Sequence, residues 1–346
     1  MDWLNNAVEL PNEQYYKKAI DRQNILTKPP GSLGILEDIA VRLAAMQKTE
    51  QPTIDKVWIA VFAADHGIAE ESVSAFPQSV TTEMVKNFIN KGAAVNVLCN
   101  YVKADFEVID VGLIEAIDES EIVLARAGNA TANFTKQAAM TEEQMQIVLT
   151  AGKFAVKRAI EQQTQLFIGG EMGNANTTSA SALAIALTGI SAEQLTGAGT
   201  GLANEEIQRK AAIIENAIKL HQKYLKNALK VLQYLGGFEI AALVGAYIFA
   251  AQQRLPILID GFISSVAALV AIELNPQASE WFFYAHCSQE KGHQRILEYL
   301  NARPLLDLNM RLGEGSGAIT AVPLLQMACK LHIEMATFKQ AGISTK

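Results

Sequence analysis

The sequence predicts a doubly wound, mostly parallel α/β sheet of the Rossmann-like kind, with a smaller helical domain built from its N- and C-terminal segments. Two observations predict this. Short continuous apolar runs recur through the middle of the 346-residue chain, each stopping at glycine or a polar cluster, as strands buried on both faces do. Between them lie longer segments with helical spacing, and strands alternating with helices call for right-handed crossovers in one parallel sheet. The alternation covers residues 51–317, which leaves 1–50 and 318–346 for the helical domain.

The opening region reads as helical up to about Gln51, with an interruption at Lys28-Pro29-Pro30-Gly31-Ser32-Leu33-Gly34. Two prolines preclude regular helix there, and Ser32 is expected to cap the next one, where Leu36, Ile39, Ala40 and Leu43 recur at helical spacing. Lys28 is within reach of a phosphate on one reading; the preferred reading is a solvated lysine. Strands are expected at 57–63, 108–111, 166–168, 257–259 and 281–285. They end at Asp65-His66-Gly67, Gly112, Gly169-Gly170-Glu171, Asp260-Gly261 and His286-Cys287-Ser288. Helices are expected around Met84, Val85, Phe88 and Ile89, then at 141–163, 178–187 and 238–251, with Thr141 and Gln144 spaced as a capping box. The stretch 205–233, with Asn204 as its N-cap, is long for one globular helix and is expected to break near His221.

In such a sheet, ligands bind outside the carboxyl ends of the strands. Asp65, His66, Glu171, Asp260 and Ser288 should therefore share one edge. Three loops there are rich in glycine and hydroxyls: 169–178 with Asn176, Thr177 and Thr178, 197–201 followed by Lys210, and 288–292. The first follows a strand and opens a helix, the context of a phosphate cradle, but it spells neither a Walker A loop nor a dinucleotide fingerprint. Taken alone, its hydroxyls and amide read first as helix caps. Arg311-Leu312-Gly313-Glu314-Gly315-Ser316-Gly317 sets a carboxylate between glycines just before a helix. It reads either as a plain helix entry, with Glu314 capping amides, or as a ligand loop in which Glu314 takes a proton.

Bulk properties narrow the function. A formal charge of −7 with no basic run argues against nucleic acid or an anionic membrane as partner and favours a small molecule. Cys99, Cys287 and Cys329 are odd in number and far apart, so neither a disulfide framework nor a CxxC pair is expected. No leader is read at the N-terminus, and the longest apolar segments are too short for a bilayer, which fits a cytoplasmic protein. The five histidines form no HExxH or His/Cys cluster, so no metal is expected. His66 reads as a buried hydrogen-bonding residue. No Gly-x-Ser-x-Gly is present, which leaves a serine hydrolase unsupported.

Five segments, taken in order, carry a resemblance: 26–34, Ala64-Asp65-His66-Gly67, Gly170-Glu171-Met172-Gly173 with Asn176-Thr177-Thr178, Leu258-Ile259-Asp260-Gly261-Phe262, and the loop 311–317. Nearly the whole chain is similar to the nicotinate-nucleotide:dimethylbenzimidazole phosphoribosyltransferase family of cobalamin lower-ligand assembly. The resemblance implies a metal-free, cofactor-free homodimer acting on nicotinate mononucleotide and a benzimidazole-type base. It gives Glu314 the role of general base and places Glu171 in the active site. It carries phosphate and ribose contacts to Gly173, Asn176, Thr177, Lys210, Ser288 and Asp260, with Gly315 and Ser316 in the same loop as Glu314. Phe76 and Met84 should help form the pocket for the aromatic base; both are apolar here, where some relatives carry polar residues. Two other classes fit parts of the sequence: a nucleotide-binding protein without catalysis, against which the two glutamates speak, and a hydrolase, against which an apolar pocket speaks.

Overall fold

The structure is a computed structural model that describes residues 1–117, 120, 122–199, 201 and 203–344. Thr200, in the glycine-rich loop after 197, lies outside the described residues. Seven strands form one all-parallel sheet: β1 (Val57–Ala64), β2 (Asp105–Gly112), β3 (Ile122–Leu124), β4 (Leu166–Met172), β5 (Ile257–Ile259), β6 (Phe282–His286) and β7 (Pro304–Leu306). Their order is β3-β2-β1-β4-β5-β6-β7, so chain direction across the sheet reverses between β1 and β4. Five strands lie where the apolar runs predict them. The edge strands β3 and β7 are not among those predicted: each has three residues, neither is fully buried, and β7 opens on a proline that only an edge tolerates.

Helix Phe238–Gln252 is buried along nearly all its length, because it lies between the sheet and helix Glu142–Glu161. The two helices approach at glycines. A Cβ on Gly152 would run into the Ala242 carbonyl oxygen, and one on Gly245 would run into that of Leu149. Gly152→Val must therefore push two backbones apart, and overpacking of this kind costs roughly 1–3 kcal/mol. A melting temperature lowered by several degrees is expected in calorimetry; an unchanged one would contradict so close a crossing.

The predicted capping box at Thr141 and Gln144 is present, with bonds of 3.1 and 2.9 Å. The long segment breaks as expected: one helix runs Asn204–His221 and the next, Ala228–Leu235, is capped by Asn227. Its start differs from expectation, since Ala203 is the N-cap and Glu206 accepts the Ala203 N–H at 2.8 Å. Ser32 likewise does not cap helix Ile35–Gln47. Glu37 reaches back instead, accepting from Leu33 N at 2.9 Å and pairing with Lys28 Nζ at 2.8 Å. Lys28 is thus buried and paired rather than solvated.

Helix Glu13–Ile25 packs on Ile35–Gln47, which in turn packs on the long helix Ser316–Glu334. Arg22 donates to the His332 and Ile333 carbonyls at 2.5 and 2.7 Å, satisfying groups that a helix C-terminus leaves open. Leu26 and Thr337 form an antiparallel bridge. Residues 22–26 and 332–337 therefore meet at the far end of Ser316–Glu334, whose near end reaches the carboxyl edge of the sheet, while Trp3, Leu4 and Asn6 at the N-terminus pack instead against Phe249, Gln252 and Asn275.

Candidate active site

The loops after β4, β5 and β6 and the loop before helix Ser316–Glu334 enclose a cavity of about 290 Å³. Of the expected site residues, Glu314, Glu171, Gly173, Asn176, Thr177, Asp260, Ser288 and Phe76 line it. Lys210 lies behind Thr177. Gly315 and Ser316 are buried in the first turn of the helix, and Met84 sits on helix Ser79–Ile89, packed against the core rather than on the cavity wall.

Three successive left-handed residues build the Glu314 loop: Gly313 (φ 92°), Glu314 (φ 64°) and Gly315 (φ 82°). For a residue with a Cβ this conformation costs roughly 1–2 kcal/mol, so surrounding contacts must hold it. They are close. A Cβ on Gly170 would lie 2.5 Å from the Glu314 carbonyl oxygen, and one on Gly315 would lie 2.6 Å from Ile59. Asp260, just past β5, takes the Ala318 N–H at 2.7 Å. It therefore fastens the start of helix Ser316–Glu334, where a negative charge also meets the positive end of the dipole.

The carboxylates crowd one another. The Glu171 carboxyl accepts a short hydrogen bond from Asn176 Nδ2. Burial, then Glu239, Asp260 and Glu314 nearby, push Glu171 well above the usual carboxylate range. Burial also raises Glu314, opposed by an N–H bond from Val95 and reinforced by Asp260. Glu314 is 4% exposed and its Oε2 has no hydrogen-bond partner. A buried oxygen left unpaired in a strained loop needs an explanation.

At the other end of the cavity, helix Asn176–Thr188 points its N-terminus inward. Asn176, Thr177 and Thr178 do not cap it: the N-cap is Ala175, and no side chain bonds there. Asn176 is turned to Glu171, and Thr177 Oγ1 accepts from Lys210 Nζ at 2.8 Å. Burial lowers Lys210 to about 8. Gly199 stands over the pair, where a Cβ would come 2.8 Å from Thr177 Oγ1 and 3.5 Å from Lys210 Nζ. A hydroxyl and a buried ammonium beside the positive end of a helix are groups that can hold an anion. Gly173 is confined by close approach, since a Cβ would lie 2.7 Å from the Ala64 carbonyl oxygen.

At the mouth, Phe76 and Leu312 are 53% and 57% exposed. The Phe76 loop is tied down by Ser74 Oγ donating to Asn174 at 2.5 Å and by Asn174 Nδ2 donating to the Phe76 carbonyl at 3.0 Å. His286, Arg311, Gly199 and Glu290 also line the cavity, although sequence reasoning names none of them as site residues. Their signal is positional: His286 ends β6, and the others lie in the loops that the sequence places at the same edge, 197–201, 288–292 and 311–317. Ser288 is held by its N–H donating to His293 Nδ1 at 2.8 Å; burial lowers His293 to about 3, so it is neutral and donates from Nε2 to Ser265 at 2.9 Å. Asp65 and His66 share the edge but not the cavity. As expected, His66 is buried and hydrogen-bonded, to Ser179 at 3.1 Å and to Glu239 at 2.7 Å.

A phosphoribosyltransferase family model matches residues 8–343. The chain is 50% identical over 345 residues to the nicotinate-nucleotide–dimethylbenzimidazole phosphoribosyltransferase of Pseudomonas putida strain F1, covering 99% of this chain and 98% of that one. It is 51% identical over 344 residues to the enzyme of the same name from Xanthomonas oryzae pv. oryzae, covering 99% of each. A crystal structure of the like-named enzyme from Thermus thermophilus superposes with a TM-score of 0.91 at 39% identity, covering 97% of this chain and 100% of that one. Fold, strand-end cavity and these similarities together make the protein an enzyme that transfers a phosphoribosyl group. The chain belongs to the nicotinate-nucleotide:dimethylbenzimidazole phosphoribosyltransferase family.

Proposed function

We propose that the protein transfers the 5-phosphoribosyl group of nicotinate mononucleotide to a ring nitrogen of dimethylbenzimidazole or a related base. The products are nicotinate and α-ribazole 5′-phosphate, a unit of the cobalamin nucleotide loop. The names of the relatives support the substrates, and the observation that carries the chemistry is the buried, unpartnered Oε2 of Glu314 on the cavity wall.

The step balances with one proton acceptor. A lone pair on one benzimidazole nitrogen forms the bond to C1′. The bond from C1′ to nicotinate breaks, and its electron pair goes to the pyridinium nitrogen, which needs no proton. The opposite N–H of the base gives its proton to Glu314. Attack opposite the departing ring turns a β-nucleotide into an α-ribotide, and carboxylates around C1′ stabilise positive charge that develops there. Thr177, Lys210, Gly173, Asn176 and Ser288 take the phosphate and ribose in this reading, and the apolar pair at the mouth, Phe76 and Leu312, flanks the aromatic base.

Glu171 has a separate part. Burial first, then Glu239, Asp260 and Glu314, make it hold its proton more strongly than an ordinary carboxyl, and Asn176 already engages it, which in this reading leaves the unpartnered Oε2 of Glu314 to accept the proton. Glu171→Gln, which mimics the neutral acid, should then keep kcat within about tenfold. Loss comparable to that of a Glu314 variant, in the same steady-state assay, would assign Glu171 the base.

The reading extends to a small helical domain from residues 1–50 and 318–346 and to a cytoplasmic homodimer. Among the described residues no helix is long and apolar enough to cross a membrane. The function is tested by incubating the protein with nicotinate mononucleotide and dimethylbenzimidazole, then following nicotinate release and the ribotide by mass and by anomeric proton coupling. An α-ribotide is expected. Ribose 5-phosphate alone, or no new ribotide with any base offered, would refute the proposal.

A further inference from the structure

His286 ends β6 and lines the cavity while only 3% exposed, yet the chemistry described so far gives it no part. Its ring is fixed from several sides. It packs on Gly317, in the first turn of helix Ser316–Glu334, where a Cβ would lie 2.2 Å from His286 Cδ2 and Nε2. A Cβ on Gly261 would lie 3.4 Å from the same Nε2, and the His293 ring stands across it with centroids 6.0 Å apart. Nε2 lies 3.8 Å from Asp260 Oδ1, the oxygen that already accepts the Ala318 N–H. Nδ1 is buried and has no hydrogen-bond partner among the described residues.

These placements divide the two nitrogens. An oxygen acceptor beside Nε2 favours the tautomer that carries its hydrogen there, which leaves the Nδ1 lone pair as an acceptor. A buried acceptor on the wall of a ligand cavity calls for a donor. Nicotinate mononucleotide brings few: with its carboxyl and phosphate ionised, its only donors are the 2′ and 3′ hydroxyls of the ribose. The N–H of the aromatic base goes to Glu314 in the reading above. Position agrees with the sugar, because a Cβ on Gly261 would touch both the His286 ring and Ser288, which is already given to the phosphate and ribose.

We infer that His286 is a specificity-determining residue: Nδ1 accepts a hydrogen bond from one ribose hydroxyl of the nucleotide, while Nε2 is held toward Asp260. The inference rests on the phosphoribosyl-transfer reading, and its test separates the two. With dimethylbenzimidazole as acceptor, kcat/KM is measured for nicotinate mononucleotide and for its 2′-deoxy and 3′-deoxy analogues in wild type, His286→Asn and His286→Gln. The asparagine amide reaches the place of Nδ1, and the glutamine amide that of Nε2. Wild type and His286→Asn should favour the ribonucleotide over one of the analogues, and His286→Gln should lower that ratio about tenfold. A ratio taken within one protein is independent of how much of it folds, and the intrinsic reactivities of the sugars cancel between proteins. Should the glutamine variant not fold at all, His286→Leu removes both nitrogens and is read in the same ratio. Equal ratios in every protein, or a ratio lost in His286→Asn and kept in His286→Gln, overturn the inference and leave the transfer reaction standing. A wild type that releases no nicotinate from the ribonucleotide overturns both.

Discussion

Glu314→Gln is expected to lower kcat by about 10²–10⁴-fold, the usual contribution of a positioned general base. The amide keeps the size of the side chain, but it cannot take a proton from the incoming heterocycle. Nicotinate mononucleotide should still bind with nearly wild-type affinity, because the proposed phosphate contacts, Thr177 and the Lys210 behind it, lie at the other end of the cavity. Single-turnover kinetics together with calorimetric titration of the nucleotide separates the two effects. A rate within a few fold of wild type would remove Glu314 from the proton transfer.

The second large effect is expected at Lys210, with the opposite division. Lys210→Met removes a buried ammonium that is 1% exposed. A charge-assisted hydrogen bond is worth roughly 1.5–3 kcal/mol, so the affinity for nicotinate mononucleotide should fall about 10- to 100-fold. The effect on kcat at saturating nucleotide should be much smaller. Its pH dependence has a definite sign. Burial lowers Lys210 to about 8 in the free protein, and only the ammonium form attracts phosphate. Nucleotide affinity should therefore weaken as pH rises through that value, and the weakening should vanish in Lys210→Met. An affinity equal in both proteins from pH 7 to pH 9 would show that phosphate binds elsewhere; titration calorimetry across that range is the check.

Much of this is legible in the sequence because buried parallel strands write themselves as apolar runs. β1, β4 and β5 each end at the polar residues that reach the edge of the sheet. The site loops are legible for a related reason: Gly170 and Gly315 must be glycine to let the Glu314 loop lie against β4 and β1, and glycines stand out. Short edges are not legible, since β3 and β7 have too few residues for a period. Nor are partnerships between distant residues. Lys28 reads as solvated because nothing in a Pro-Pro-Gly turn announces that Glu37 will fold back to it. His66 finds Glu239 only once the sheet is assembled. Asn176 reads as a helix cap and is committed to Glu171 instead, a choice that depends on β4 ending next to that helix.

The central claim is that Glu314 receives the proton shed by the acceptor base as it captures the sugar. A crystal structure with nicotinate mononucleotide and dimethylbenzimidazole bound, trapped in Glu314→Gln, tests it most directly. The account predicts the position-314 side chain about 2.6–3.2 Å from one ring nitrogen, with the other nitrogen facing C1′. A side chain turned away from the base, with a different group or solvent at that nitrogen, would contradict it.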